Sequence, residues 1–138
     1  MKMTNGIMKV LFDAINKPGF MNGATGQTGY ALYRNARILS NELKDYDKVI
    51  NDAINKYGKK TENGYVIDQS DKKSLEKFTK AVIPVANLEI DVDLYQIPAD
   101  VFELPYCENA TPSDYAIIEE FFVLPEKQEN SDELIVEG

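Results

Sequence analysis

QTGYALYRNARILSNELKDYDKVINDAINKYG, residues 27–58, decides the fold class of this chain. Within it Leu32, Ala36, Leu39, Leu43, Tyr46, Ile50, Ala53 and Tyr57 recur at alternating steps of four and three, and Val49 and Ile54 widen the stripe. That spacing is the apolar seam of a helix lying along another helix at a shallow angle. It predicts one long helix from about Gln27 to Tyr57, with Gly58 as its C-terminal stop. At about 1.5 Å per residue such a helix is a rod of about 45 Å. It outruns the helix that follows it, so the seam predicts an elongated shape or a homo-oligomer.

Before the seam, Thr4 or Asn5 caps a first helix running to about Asn16, with Ile7, Met8, Val10, Leu11, Phe12, Ala14 and Ile15 on a wide apolar face. Lys17-Pro18-Gly19 stops it, and residues 18–26 read as a Gly-rich loop. After the seam, Glu62-Asn63-Gly64-Tyr65 signals a turn and residues 65–67 a short extended stub. Ser70 or Asp68 caps a third helix with Leu75, Phe78, Ala81 and Val82 on one face. Lys72, Lys73, Lys77 and Lys80 line its other side, and Pro84 ends or kinks it. The second and third helices predict an antiparallel hairpin.

Residues 88–94 alternate strictly, with Leu88, Ile90, Val92 and Leu94 on one face and Glu89, Asp91 and Asp93 on the other. This is a half-buried strand with an acidic outer face. It needs a partner, from residues 65–67, residues 95–97, the tail or a second chain. Pro98 opens a short helical turn, and Thr111-Pro112-Ser113-Asp114 is a well-formed helix start. The last helix turns Tyr115, Ile118, Phe121 and Phe122 inward and ends before Pro125. The expected fold is mainly α, α+β at the margin. It is a single domain over residues 1–125, a long antiparallel hairpin with an N-terminal helix and a small acidic C-terminal lobe, followed by an acidic tail over 126–138.

Composition narrows function. The 138 residues include no His, no Trp and one Cys. Without His there is no His-based acid–base catalysis, no Ser-His-Asp or Cys-His arrangement and almost no route to a zinc site. One Cys allows no intrachain disulfide and is compatible with a reducing compartment. No segment is apolar over the length needed to span a bilayer, and residues 1–25 lack a signal-peptide pattern. The net charge of −8 is uneven. Residues 1–60 hold ten Lys/Arg against five Asp/Glu, residues 61–86 hold four of each, and residues 87–138 hold Lys127 against fourteen Asp/Glu. Such one-sidedness points to an acidic end that docks on a protein with a basic surface and repels nucleic acid. The residues expected to carry that docking are Glu89, Asp91, Asp93, Glu103, Glu108, Glu119 and Glu120.

Other patterns are weaker. Residues 19–29 contain four loop glycines around Gly23-Ala24-Thr25-Gly26, but a phosphate loop needs a preceding strand and a Gly-Lys-Ser/Thr ending, and neither is present. Glu89, Asp91 and Asp93 lack the continuation of a Ca²⁺ loop. Cys107 has Glu103 and Glu108 nearby, which disfavours a thiolate nucleophile. Arg34, Arg37, Lys44 and Lys48 make a basic stripe or an ordinary solvated face, and Tyr30, Tyr33, Tyr46 and Tyr57 read as seam residues. No catalytic, cofactor or metal residue is expected.

The order of elements, with Ile54-Asn55-Lys56-Tyr57-Gly58, Glu62-Asn63-Gly64-Tyr65, Leu75-Glu76-Lys77-Phe78, Leu88-Glu89-Ile90-Asp91-Val92 and Ile117-Ile118-Glu119-Glu120, resembles a family of small uncharacterised phage and prophage proteins of Gram-positive bacteria. The resemblance covers about residues 3–124 and carries no family activity onto any residue. It implies a phage context and the host cytoplasm. There, a small acidic protein is expected to be a non-enzymatic inhibitor of a basic, nucleic-acid-binding host or antiviral-defence protein. The alternative is a phage structural or assembly factor that self-associates through its long helix.

Overall fold

A computed structural model describes residues 1–125; the expected acidic tail, 126–138, lies outside the described residues. The elements are β1 (Lys2–Thr4), α1 (Asn5–Ile15), α2 (Pro18–Gly23), α3 (Gly26–Glu42), α4 (Lys44–Tyr57), β2 (Lys59–Thr61), β3 (Gly64–Val66), α5 (Lys72–Ala86), β4 (Glu89–Asp91) and α6 (Pro112–Phe122). The described residues are mainly helical, with two small antiparallel two-stranded sheets at the margin.

The Thr4 hydroxyl caps α1 by accepting from the Ile7 N–H at 3.1 Å. Met8, Leu11, Ala14 and Ile15 are buried. Ile7 and Val10 are exposed, so the inward face is narrower than the apolar run. The Gly-rich stretch is not a loop throughout. Pro18 sits in the first turn of a short helix, α2, which buries Phe20 edge-on against Tyr115 at 5.0 Å. Gly19 lets that helix press against Cys107, because a Cβ there would lie 2.7 Å from the thiol sulfur.

The expected single rod is two helices. At Leu43 the backbone has ψ −5°, and α3 ends and α4 begins there. The 4-3-4-3 spacing runs through the break, because Leu43 is itself buried. The two halves face different neighbours: α3 packs on α1 and α2, and α4 packs on α5 and β3. All eight seam residues are buried or half-buried within the chain. The seam therefore leaves no long uncovered stripe of the kind that motivated self-association.

The hairpin is formed by α4 and α5, joined through the β2–β3 ribbon with its two-residue loop Glu62-Asn63. Gly58 ends α4 with φ −83°, not in the left-handed region. It is needed for close approach, since a Cβ there would meet the Ile54 carbonyl oxygen and come within 2.9 Å of the Val66 carbonyl oxygen. The cap of α5 is Asp71, not Ser70 or Asp68. Its carboxylate accepts from the Ser74 N–H at 3.2 Å, while Asp68 holds the preceding turn by accepting from Ser70. The helix continues through exposed Pro84 to Ala86.

The strand over residues 88–94 is short. Only Glu89–Asp91 is strand, and its partner is β1, in the register Lys2↔Asp91, Met3↔Ile90, Thr4↔Glu89. Neither residues 65–67 nor residues 95–97 pair with it, and the tail, the third candidate, lies outside the described residues. Val92 and Leu94 are buried as expected, but Leu88 is 54% exposed. Residues 92–105 continue as an irregular strip across the helices, interrupted by the expected turn after Pro98, whose carbonyl accepts from the Val101 and Phe102 N–H groups at 3.2 Å. Ile97 forms a parallel bridge with Val123, its N–H donating to the Phe122 carbonyl and its carbonyl accepting from the Leu124 N–H, both at 2.9 Å. The Thr111 capping box forms as read, with the Asp114 carboxylate accepting from the Thr111 N–H. The main core gathers Met8, Leu11, Ile15, Phe20, Leu32, Leu39, Ile97, Ile118 and Phe122.

Candidate interaction surface

Among the described residues three polar side chains are buried: Thr28 and Asn35 fasten residues 95–103 to α3, and Asn5 ties α1 to α5. Asn35, on α3, donates to the Tyr95 carbonyl at 2.9 Å and accepts from the Tyr95 N–H at 2.7 Å, so a helix side chain replaces a neighbouring strand. Thr28 accepts from the Glu103 N–H at 3.0 Å and donates to the Val101 carbonyl at 3.3 Å. Asn5 donates from its amide to the Val85 carbonyl at 2.9 Å. A buried backbone group without a partner costs about 1–3 kcal/mol, so these bonds decide where the strip lies. Thr28, Leu32, Asn35 and Leu39 lie on one face of α3 at steps of four, three and four, with Asn35 next to the seam residue Ala36. A polar residue in an apolar phase was the available signal for them.

This framework displays the seven expected docking carboxylates. Glu89, Asp91, Asp93, Glu103, Glu108, Glu119 and Glu120 are all exposed. They do not share one hollow. Glu89 and Asp91 stand on β4, but Asp91 lies directly opposite Lys2 and 3.3 Å from the Met1 amino group, so that strand face is less acidic than its sequence. Asp93 lines a hollow of about 250 Å³ with Arg34, Tyr95, Gln96 and Leu124. Glu103 lines a different one of about 360 Å³, against Gly23–Thr28. A carboxylate there opposes an anion at the start of α3. Glu108 is in the turn after Cys107, and Glu119 and Glu120 lie on the outer side of α6. Among the described residues no three Asp, Glu or Cys side chains gather as a metal site.

The carboxylates with lowered pKa values are elsewhere, at turns and helix starts. Hydrogen bonds from Ser70 hold Asp68 below the ordinary carboxylate value, bonds from Ser74 do so for Asp71, and the Thr111 N–H does so for Asp114. Lys17 adds to the last effect at 3.5 Å. Cys107 is buried against Gly19, its N–H donating to the Tyr115 hydroxyl at 2.8 Å, and serves packing.

One surface differs from its sequence reading. Tyr46 and Tyr57 lie in the seam, but Tyr30 and Tyr33 are 51% and 55% exposed on the outer face of α3. Arg34 donates to the Tyr30 hydroxyl at 3.1 Å and lies 5.8 Å from the Tyr95 ring centre, while Tyr30 meets Tyr95 edge-on at 5.1 Å. The Tyr33 hydroxyl donates to the Met21 carbonyl at 2.8 Å. Arg37 and Lys44 continue this face beside a hollow of about 470 Å³. The helix period alone could have separated these tyrosines from Tyr46 and Tyr57.

The chain matches no family model, no curated protein and no solved structure. Among the described residues no helix is long and apolar enough to cross a membrane.

Proposed function

We propose that this protein is a non-enzymatic binding protein whose acidic C-terminal half docks on a protein with a basic surface. The single observation that supports this most is that all seven docking carboxylates are exposed, on a C-terminal half whose strip is fastened from within by Thr28 and Asn35. A carboxylate array on an ordered frame recognises a cationic partner at a lower entropic cost than a chain that must order on binding. With the resemblance to phage proteins, the target is a basic, nucleic-acid-binding host or antiviral-defence protein in the host cytoplasm.

The test uses Glu89→Gln, Asp93→Asn, Glu119→Gln and Glu120→Gln in one chain, leaving Asp91 with Lys2. Wild type and variant are compared for capture of basic proteins from host lysate, and each captured protein is then purified and its association rate measured at two salt concentrations. The expected result is a variant with unchanged circular dichroism, slower association and a flatter salt dependence. Equal rates and equal salt dependence in both chains overturn the proposal.

A further inference from the structure

The outer face of α3 is a basic, aromatic stripe in an acidic protein. Tyr30, Arg34, Arg37 and Asn41 follow one another at steps of four, three and four, Tyr33 lies beside them one turn before Arg37, and Lys44 continues the stripe onto α4. All six are exposed. Arg34 and Arg37 are the only arginines of the chain. Among the described residues, neither of them nor Lys44 has a carboxylate within 4.0 Å, whereas Lys9, Lys17, Lys48 and Lys80 each have one. Arg34 is already ordered by Tyr30 and Tyr95, so its guanidinium is held in place for an anionic ligand.

Leu124 lines the hollow beside Arg34 together with Asp93, Tyr95 and Gln96, and Pro125 is the last described residue. The sequence then continues with Glu126, Glu129, Asp132 and Glu133, against Lys127 alone. We propose that the stripe on α3 is the binding site of the chain's own acidic segment, residues 126–138, with Arg34, Arg37 and Lys44 receiving its carboxylates. The distances allow it. From Tyr30 to Lys44 the stripe is about 21 Å long at the helical rise. Eight extended residues, Glu126 to Glu133, reach about 26 Å. Single exposed ion pairs are weak, but a segment tethered at the site acts at an effective concentration of about millimolar. Arginine also offers carboxylates a two-point bond that lysine cannot.

Because both arginines lie on this face, modification read at Arg34 and Arg37 reports on it and on no other surface. The experiment compares phenylglyoxal modification of the full-length chain with that of Glu126→Gln/Glu129→Gln/Asp132→Asn/Glu133→Gln, folding being checked by circular dichroism. At low salt the wild type is expected to react roughly threefold or more slowly than the variant, with the two rates converging near half-molar salt. A second variant, Asp13→Asn/Glu62→Gln/Glu76→Gln/Asp100→Asn, removes four exposed charges elsewhere and is expected to keep the wild-type rate. Equal rates for wild type and the first variant overturn the proposal. So does equal acceleration in both variants, which would reflect the general charge field. Protection that rises with protein concentration also overturns it, because a second copy would then be the occupant.

Discussion

The body of the molecule and its helical arm use the same kind of helix in different ways. In the body, α1, α3 and α6 close on Phe20, Phe122 and the aliphatic residues between them, and polar side chains lock the strip over 92–105 onto α3. In the arm, residues 44–86, only Tyr46, Ala53 and Val82 are buried, and every residue of β2 and β3 is exposed. The arm joins the body through the continuous chain at Leu43, the packing of α1 on α5, the Lys9–Asp47 ion pair at 3.3 Å and the Asn5 bond to Val85. A helix hairpin with one shared face buries less area per residue than helices enclosed on several sides, so the arm should be the softer region.

That difference can be broken or sharpened by measurement. Phe122→Ala, at a fully buried site in the body, is expected to cost about 3–5 kcal/mol, read from the denaturant midpoint. Leu43→Ala, at the junction, should cost about 2–4 kcal/mol, whereas Ile50→Ala, half-buried in the arm, should cost only about 1–2 kcal/mol. Equal costs for those two would mean that arm and body form one core. Asn35→Ala should cost about 1–3 kcal/mol by orphaning the Tyr95 N–H and carbonyl, and should speed hydrogen exchange at the Tyr95 amide.

The smallest effect expected is an acid-dependent fraying. Asp68, Asp71 and Asp114 have folded pKa values below their unfolded ones. Their contribution is therefore present above about pH 4 and is lost as the pH falls through the folded values. Two of the three lie at the start of α5, so exchange should rise first in α5 as the pH drops below 4. Asp71→Asn should reduce that sensitivity, whereas earlier loss in α6 would reverse the ranking of the two regions.

The helices were legible because each rests on a local pattern. Thr4, Thr111, Pro112 and the 4-3-4-3 spacing act within a turn or two of chain, and the structure keeps all of them. The break at Leu43 was hidden because a buried leucine keeps the seam in phase on both sides of it. The short helix α2 was hidden by glycines, one of which is there for the approach of Cys107 rather than for a loop. In the candidate surface, the exposure of the seven carboxylates was legible from alternation and polarity. Their separation into different hollows, and the cations beside Asp91, were not.

By itself, the sequence determined the helical class, the caps of α1 and α6, the acidic C-terminal half and the lack of histidine chemistry, since these depend on composition and on neighbours a few residues apart. Only the tertiary structure decided that β1 pairs with β4 across more than eighty residues, and that Asn35 stands in for a strand beside Tyr95. It also decided that α3 and α4 face different partners and that Tyr30, Tyr33 and both arginines face outward. The physical reason is that a hydrogen bond or a buried face is satisfied by whichever group the whole packing brings to it, and no local pattern names that group.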